Sequence, residues 1–287
     1  MFGSHLSIAG GLHNALLSAQ RYRFECVQVF TKNQRQWKCN PLTDEDLRLW
    51  REHQTQTGVT DVVSHDSYLI NLGAPPESEN RRKSVALFRE EIERCEALGI
   101  PHLVTHPGAH VGQGEIEGLA RIAEAIDQVH AELPGYRTIT CLENTAGQGT
   151  TLGCDLKHLR AIMDAVKEPE RLAVCIDTAH SLEAGYDLTS AAGAKAFLHE
   201  LDEVVGLKLV RVIHVNDSKT IRGSRVDRHA HIGHGHVSPD AFRVILSHKQ
   251  FRRVPKVLET PKELTPEGRD WDEVNVETLK ALLKRKR

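Results

Sequence analysis

Short runs rich in Val, Ile, Leu and Thr recur along the chain, separated by longer stretches with apolar residues at three- and four-residue steps. The runs are 2–8 (FGSHLSI), 26–31 (CVQVFT), 60–66 (TDVVSHD), 102–108 (HLVTHPG), 138–145 (TITCLENT), 172–180 (LAVCIDTAH), 210–217 (VRVIHVND) and 254–260 (VPKVLET). They read as strands. Between them, segments such as 79–99, 115–133 and 187–209 carry the spacing of helices lying on a core. Regular alternation of strand and helix implies parallel strands. No Pro/Gly/Ser-rich linker, low-complexity tract or internal sequence repeat interrupts the alternation, so the pattern predicts an α/β fold: one (β/α)8 TIM barrel spanning 1–287.

The 287 residues, 40% apolar and 26% charged, suit a soluble globular protein with a substantial core. No apolar run approaches the roughly 18 residues of a membrane span, and Met1–Gly10 lacks a basic-then-apolar signal pattern. A cytoplasmic protein, nucleoid-associated at work, with no membrane contact is expected, as is a monomer. The net charge of −2 excludes bulk attraction to a polyanion, so nucleic-acid binding would need a local basic patch. Six cysteines (Cys26, Cys39, Cys95, Cys141, Cys154, Cys175) occur without a CxxC pair and read as reduced core residues.

Histidine changes the picture, at 17 residues. A barrel gathers its chemistry at the carboxyl ends of its strands, where the following loops converge. Most of the runs end in a metal-capable side chain: His5, His65, His106, Glu143, Asp177 with His180, His214 and Glu259, joined by Asp227 and His229 from the loop after the seventh run. A lone strand-end His or Asp commonly caps the next helix. Recurrence over seven of eight strands argues for metal, and imidazole with carboxylate but no thiolate suits catalytic zinc or manganese. Asp227 and His229, two apart on an extended loop, point the same way. Nine candidate ligands exceed one tetrahedral ion, and with a bridging carboxylate they would serve two or three.

The same segments resemble the endonuclease IV family of zinc-dependent AP endonucleases over essentially the whole length. They are FTKNQRQW (30–37), SHDSYLINLG (64–73), THPGAH (105–110), LENTAGQG (142–149), CIDTAHSLEAGYDL (175–188), HVNDSK (214–219), VDRHAHIGHG (226–235) and LET (258–260). The resemblance implies three zinc ions per chain, manganese being an acceptable replacement at one or more sites. Glu143 would bridge a buried pair, completed by His65 and His106 on one side and Asp177, His214 and Glu259 on the other. His180, Asp227 and His229 would hold a third, more exposed ion. Glu143 and Glu259 become the catalytic candidates, Glu259 also as the group that orients or deprotonates the attacking water.

By the same resemblance the partner is double-stranded DNA containing an abasic site, cut on the 5′ side of the lesion, with 3′ blocking groups as further substrates. Tyr68, Leu69 and Arg35 would enter the gap left by the missing base. Lys32, Lys38, Lys219, Arg222, Arg225 and Arg228, in strand-end loops of one face, could form a phosphate-binding crescent; for Arg228 a loop salt bridge is the competing reading. Two departures stand out. Ser238 occupies a position where glycine is expected, and His231, His234 and His236 cluster on what reads as a solvent-exposed loop. The terminal KRKR (284–287) reads as a solvated helix end.

Two rival readings use the same residues. A single-metal sugar isomerase or epimerase needs only Glu143, Asp177, His214 and Glu259, leaving His65, His106, His180, Asp227 and His229 without a role. A non-enzymatic metal-storing or DNA-binding barrel accounts for the ligands but not for their open placement.

Overall fold

In the computed structural model, which describes residues 1–284, strands and helices alternate as the pattern predicts. The order is β1 (Phe2–His5), α1 (His13–Arg21), β2 (Cys26–Val29), α2 (Asp44–Thr57), β3 (Asp61–His65), α3 (Glu79–Leu98), β4 (His102–Thr105), α4 (Glu115–Glu132), β5 (Ile139–Glu143), α5 (Leu156–Ala165) and β6 (Leu172–Asp177). Then follow α6 (Thr178–Ala184), α7 (Ala191–Val204), β7 (Val210–His214), β8 (Asp217–Ser218), β9 (His229–Ala230), α8 (Pro239–Leu246), β10 (Lys256–Leu258) and α9 (Trp271–Lys284). Eight strands close a barrel in the order β1-β10-β7-β6-β5-β4-β3-β2, every neighbouring pair being parallel. It is a TIM barrel.

Strand periodicity explains how the interior is divided. Side chains two apart share a face, so Val63, Val104, Cys141, Cys175 and Val212, which with Ala173 form the small apolar cluster inside the barrel, put His65, His106, Glu143, Asp177 and His214 one step further toward the carboxyl end. A dry layer thus floors the polar one. The larger core lies outside, between strands and helices, and includes Trp50, Phe88, Ile126, Leu142 and Phe242.

Local chemistry sets the helix ends. The α2 N-terminus is a capping box in which Thr43 and Asp46 bond reciprocally, and Gly58 and Gly99 take the left-handed conformation that ends α2 and α3. Ser238, the departure noted above, caps α8 by accepting from the Ala241 N–H at 3.0 Å, which gives a serine its own reason to be there. The runs read as strands 172–180 and 210–217 are each cut short: Asp177 caps α6 through the His180 N–H at 2.8 Å, and the chain past His214 forms the β8–β9 hairpin. The side-chain oxygens of Asp177 and neighbouring residues outcompete the β-propensity of such stretches.

Cys26, Cys95, Cys141 and Cys175 are buried and free, whereas Cys39 and Cys154 are half-buried loop residues rather than core. Lys284 ends α9, and Arg285–Arg287 of the KRKR segment lie outside the described residues. Of the described helices, none is long and apolar enough to cross a membrane. Phe88 is completely buried on α3, away from the strand ends. Phe88→Ala is expected to lower unfolding free energy by about 3–5 kcal/mol, read from urea unfolding midpoints, without changing the metal content of the folded fraction.

Candidate metal centre

The carboxylate of Glu143, fully buried at the end of β5, is the hub. Its Oε2 lies 3.1 Å from His65 Nε2 and 3.2 Å from His106 Nε2, and its Oε1 lies 2.8 Å from His214 Nδ1 and 3.4 Å from His180 Nδ1. On the β10 side, Glu259 Oε2 lies 3.1 Å from His214 Nδ1, and Asp177 Oδ2 lies 3.9 Å from the same nitrogen. At the outer edge His180 Nε2 lies 3.4 Å from Asp227 Oδ2 and 3.4 Å from His229 Nε2, while His229 Nε2 lies 3.6 Å from Asp227 Oδ1. All nine residues singled out from the sequence therefore meet in one continuous cluster. His5, the strand-end histidine outside that set, reaches Glu259 at 3.4 Å.

The donor chemistry fits divalent cations. His65, His180 and His229 turn Nδ1 toward the backbone carbonyls of Asp66 (2.9 Å), Asn144 (2.9 Å) and Glu259 (3.2 Å). A carbonyl only accepts, so each Nδ1 carries the proton and each Nε2 presents a lone pair. Those lone pairs face carboxylates and, for His180 and His229, each other. Electron pairs aimed at one another across 3.4 Å make sense around a cation, and the edge of a zinc tetrahedron with bonds of about 2.0–2.1 Å is about 3.3–3.4 Å. Three of the four-atom and three-atom groupings that could hold an ion are His65/His106/Glu143, Glu143/Asp177/His214/Glu259 and Asp177/His180/His229; a fourth is His180/Glu183/Asp227.

Charge in the metal-free chain tells the same story. Burial pushes His65 down, but Glu143, Glu259 and Asp66 outweigh it and leave the ring at about 9. Burial likewise opposes charge on His180 and His214, and both are lifted well above the usual histidine range, His180 by Asp177, Asp227 and Glu143 and His214 by Cys175, Glu143 and Glu259. Burial raises Glu143 and Glu259, yet His214 and the other imidazoles hold both well below the carboxylate range. Protons occupy the places that cations fit.

A surrounding layer was not singled out from the sequence, although Asn144, Asn216 and Asp217 lie within segments quoted above. Gln28 on β2 accepts from His214 Nε2 (2.8 Å) through Oε1 and donates from Nε2 to Glu259 Oε1 (2.6 Å), which turns the Nδ1 lone pair of His214 inward. Asn216 donates to Asp177 Oδ2 (2.6 Å) and accepts from the Glu259 N–H (2.7 Å). Asn144 accepts from the Asp177 N–H (2.7 Å). Asp217 gathers the backbone N–H groups of Ser218, Gly233, Gly235 and Val237, anchoring the loop that follows β9. The amides give no pattern to a reader looking for ligands; the signals that could have found them are adjacency to strand-end residues and, for Asn144 and Asn216, their place in the segments LENTAGQG and HVNDSK.

The candidate DNA-contact residues divide. Tyr68 is 61% exposed and Leu69 half-buried beside it. Arg35, Lys38, Lys219, Arg222, Arg225 and Arg228 are all exposed, although Arg222 Nε donates to the Gly185 carbonyl and Arg228 Nη1 to the Asp227 carbonyl. Lys32 is a correction: it is buried, with Nζ donating to the Asn33 and Gln36 carbonyls, because an ammonium drawn under its own loop is best satisfied by that loop's backbone. His231 is another. It is buried and stacked on Trp271 (centroids 4.1 Å apart, planes at 8°), bonded to Glu263 at 2.9 Å and Asn275 at 3.1 Å, while His234 and His236 are exposed. A cleft of about 930 Å³ opens beside Glu259 between the loops after β1, β2 and β10, lined among others by His5, Phe30, Arg35 and Lys262.

A closed parallel barrel with a His/Asp/Glu cluster at its carboxyl ends defines a class, and the xylose isomerase-like TIM barrel family matches residues 16–284. Within that class the chain belongs to the endonuclease IV family. It is 45% identical to probable endonuclease 4 of Chloroflexus aurantiacus over 98% of both chains. The crystal structure of endonuclease IV from Thermus thermophilus superposes with a TM-score of 0.86 at 33% identity, covering 99% of this chain and 98% of that one. A D-tagatose 3-epimerase-like protein, at a TM-score of 0.75 and 19% identity over 99% and 97% of the two chains, shares the fold.

The sign of the pH dependence follows from the raised imidazoles. Their stabilising charge is complete below the unfolded value of 6.5 and lost as pH rises through about 9 for His65. Chelator-stripped protein should therefore melt lower at pH 9 than at pH 6, whereas the metal-loaded protein should melt lower as pH falls, since protonated imidazole cannot ligate. Thermal scans of both forms across this range check it; parallel pH profiles for the two would contradict the shared use of these nitrogens.

Proposed function

We propose that this enzyme hydrolyses the phosphodiester on the 5′ side of abasic sites in duplex DNA, leaving a 3′-hydroxyl and a 5′-deoxyribose phosphate, from a site holding three divalent ions. Zinc is the foremost candidate, with manganese acceptable at one or more positions. The observation that carries this reading is the grouping of donors into adjoining clusters around Glu143 and His180, far more than a single-metal isomerase needs. His65 and His106 with Glu143, and Asp177, His214 and Glu259 with the same Glu143, are the proposed ligands of a buried pair. His180, Asp227 and His229 are those of the outer ion. The likeness to proteins named endonuclease 4 supports a DNA substrate.

Ions bound in these clusters supply Lewis acidity and neutralise charge around an in-line displacement at phosphorus. The chain's own groups do the rest. Glu259 has a side chain 18% exposed at the rim, with one oxygen held by Gln28, which suits it to orient or deprotonate an attacking water. Glu143, sealed from solvent, keeps both oxygens for the clusters on either side of it. Tyr68, Leu69 and Arg35 suit filling the gap opposite a lost base while the bare sugar turns toward the cleft beside Glu259, an unstacking that is cheapest where the base is already missing. Lys219, Arg222, Arg225 and Arg228 suit backbone phosphates and set orientation rather than selectivity. The same displacement would remove 3′ blocking groups: the 3′-oxygen leaves in both cases, and only the other substituent on the phosphate differs.

The test is incision of a labelled duplex containing one abasic analogue, with an undamaged duplex and a ketose as controls. Only the abasic strand should be altered; conversion of the ketose would support the isomerase reading instead. Tyr68→Ala and Arg35→Ala should weaken binding to abasic duplex about tenfold or more, in keeping with about 1–3 kcal/mol per stacking contact, while sparing undamaged duplex. Glu259→Gln keeps one ligating oxygen and should lose incision by orders of magnitude in single turnover while retaining DNA binding and most of its metal; near-parental incision would remove Glu259 from the proposed role.

A further inference from the structure

Glu183 belongs to none of the proposed ligand sets, yet it is fully buried on the last turn of α6 behind the outer cluster. Its Oε1 accepts from the Ser218 hydroxyl at 2.6 Å and the Arg228 backbone N–H at 3.2 Å, with the Thr220 hydroxyl at 3.4 Å. Its Oε2 is buried and has no hydrogen-bond partner among the described residues. Every donor to this carboxylate is therefore neutral, and all of them serve one oxygen. A second carboxylate oxygen shut away from water and given nothing is among the costlier arrangements a fold can hold, unless a cation faces it. The carboxylate lies where a cation belongs: one of its oxygens is within 4.8 Å of donor atoms of both His180 and Asp227.

We infer that Glu183 is a further donor to the outer divalent ion, alongside His180, Asp227 and His229, an inference that rests on the three-ion reading above. Two imidazoles and two carboxylates form a harder, more anionic set than two imidazoles and one carboxylate. Such a set would retain a dication more tightly, and it suits manganese as well as zinc. The other oxygen of Glu183 ties the ion to the loop 218–228, because the Ser218 and Arg228 bonds hold the segment on which Asp227 sits. One side chain thus supplies charge to the outer ion and fixes the loop that reaches it.

The two roles separate in Glu183→Gln. The amide carbonyl can keep accepting from Ser218 and Arg228, while the NH₂ group takes the place of Oε2, where it cannot ligate. Zinc-loaded parental, Glu183→Gln and Glu183→Ala proteins are titrated with a chelator, and zinc retained per chain is measured together with the melting temperature of the stripped forms. The expected result is that both variants release one zinc at a chelator concentration at least tenfold lower than the parent, keep the other two, and that stripped Glu183→Gln melts with the stripped parent. Three zincs held equally tightly by parent and Glu183→Gln overturn the inference and leave the three-ion reading intact. Loss of the outer zinc in Glu183→Ala alone also overturns it, reducing Glu183 to a loop anchor. A parental chain that holds only two zincs overturns both.

Discussion

At the centre of the barrel mouth the anion of Glu143 meets imidazoles from four other elements, each presenting a nitrogen within 2.8–3.4 Å. Concentrating carboxylates and lone pairs in a dry site is unfavourable for the bare chain, so the surrounding fold must hold them there. The barrel does so through strand period: His65, Glu143, Asp177 and His214 stand two residues beyond Val63, Cys141, Cys175 and Val212, on the same inward face. Because the apolar layer beneath is closed on all sides, the buried charged groups turn to each other, to their amide partners and to bound ions. What is costly in the empty chain becomes affinity when cations arrive, and folding and metal binding are thereby linked.

Three amide side chains make that arrangement a single geometry. Gln28 sets the tautomer of His214 and the rotamer of Glu259 together, Asn216 connects Asp177 to the backbone of Glu259, and Asn144 holds the turn into α6. Backbone carbonyls fix the tautomers of His65, His180 and His229. Preorganisation of this kind spares the site from rearranging as charge develops on a substrate. The outer edge is built differently. Asp227 and His229 come from the β8–β9 hairpin rather than from barrel strands; Glu183 holds that hairpin at Arg228, and Asp217 anchors the loop that follows it.

Much of this was legible in the amino-acid sequence, for identifiable reasons. Strand ends bearing His, Glu and Asp are visible because apolar runs mark the strands and metal-capable residues are few kinds, so all nine candidates could be named and all nine meet in space. The barrel follows from alternation alone. Short helices such as α6 were not visible, since Asp177–Ala184 begins inside what reads as a strand and its helix is set by one capping oxygen. Nor were Gln28, Asn144, Asn216 or Glu183: their importance lies in which partners the fold brings to them across the barrel, and no local spacing encodes that. Lys32 and His231 show the converse. Both sit in loops rich in polar residues, where exposure is the natural expectation, and both are buried by contacts with residues that folding supplies, the Gln36 carbonyl for one and the Trp271 ring for the other.

The shared use of Glu143 is the claim on which the rest turns, and metal content of Glu143→Gln measured against the parental chain addresses it directly. An amide there replaces one of the two carboxylate oxygens with an NH₂ that cannot ligate and removes the negative charge both inner clusters share, so the variant should lose at least one inner ion and hold two or fewer of the proposed three. A Glu143→Gln protein that still holds its full complement, as tightly as the parent does, would contradict the account of a bridging carboxylate.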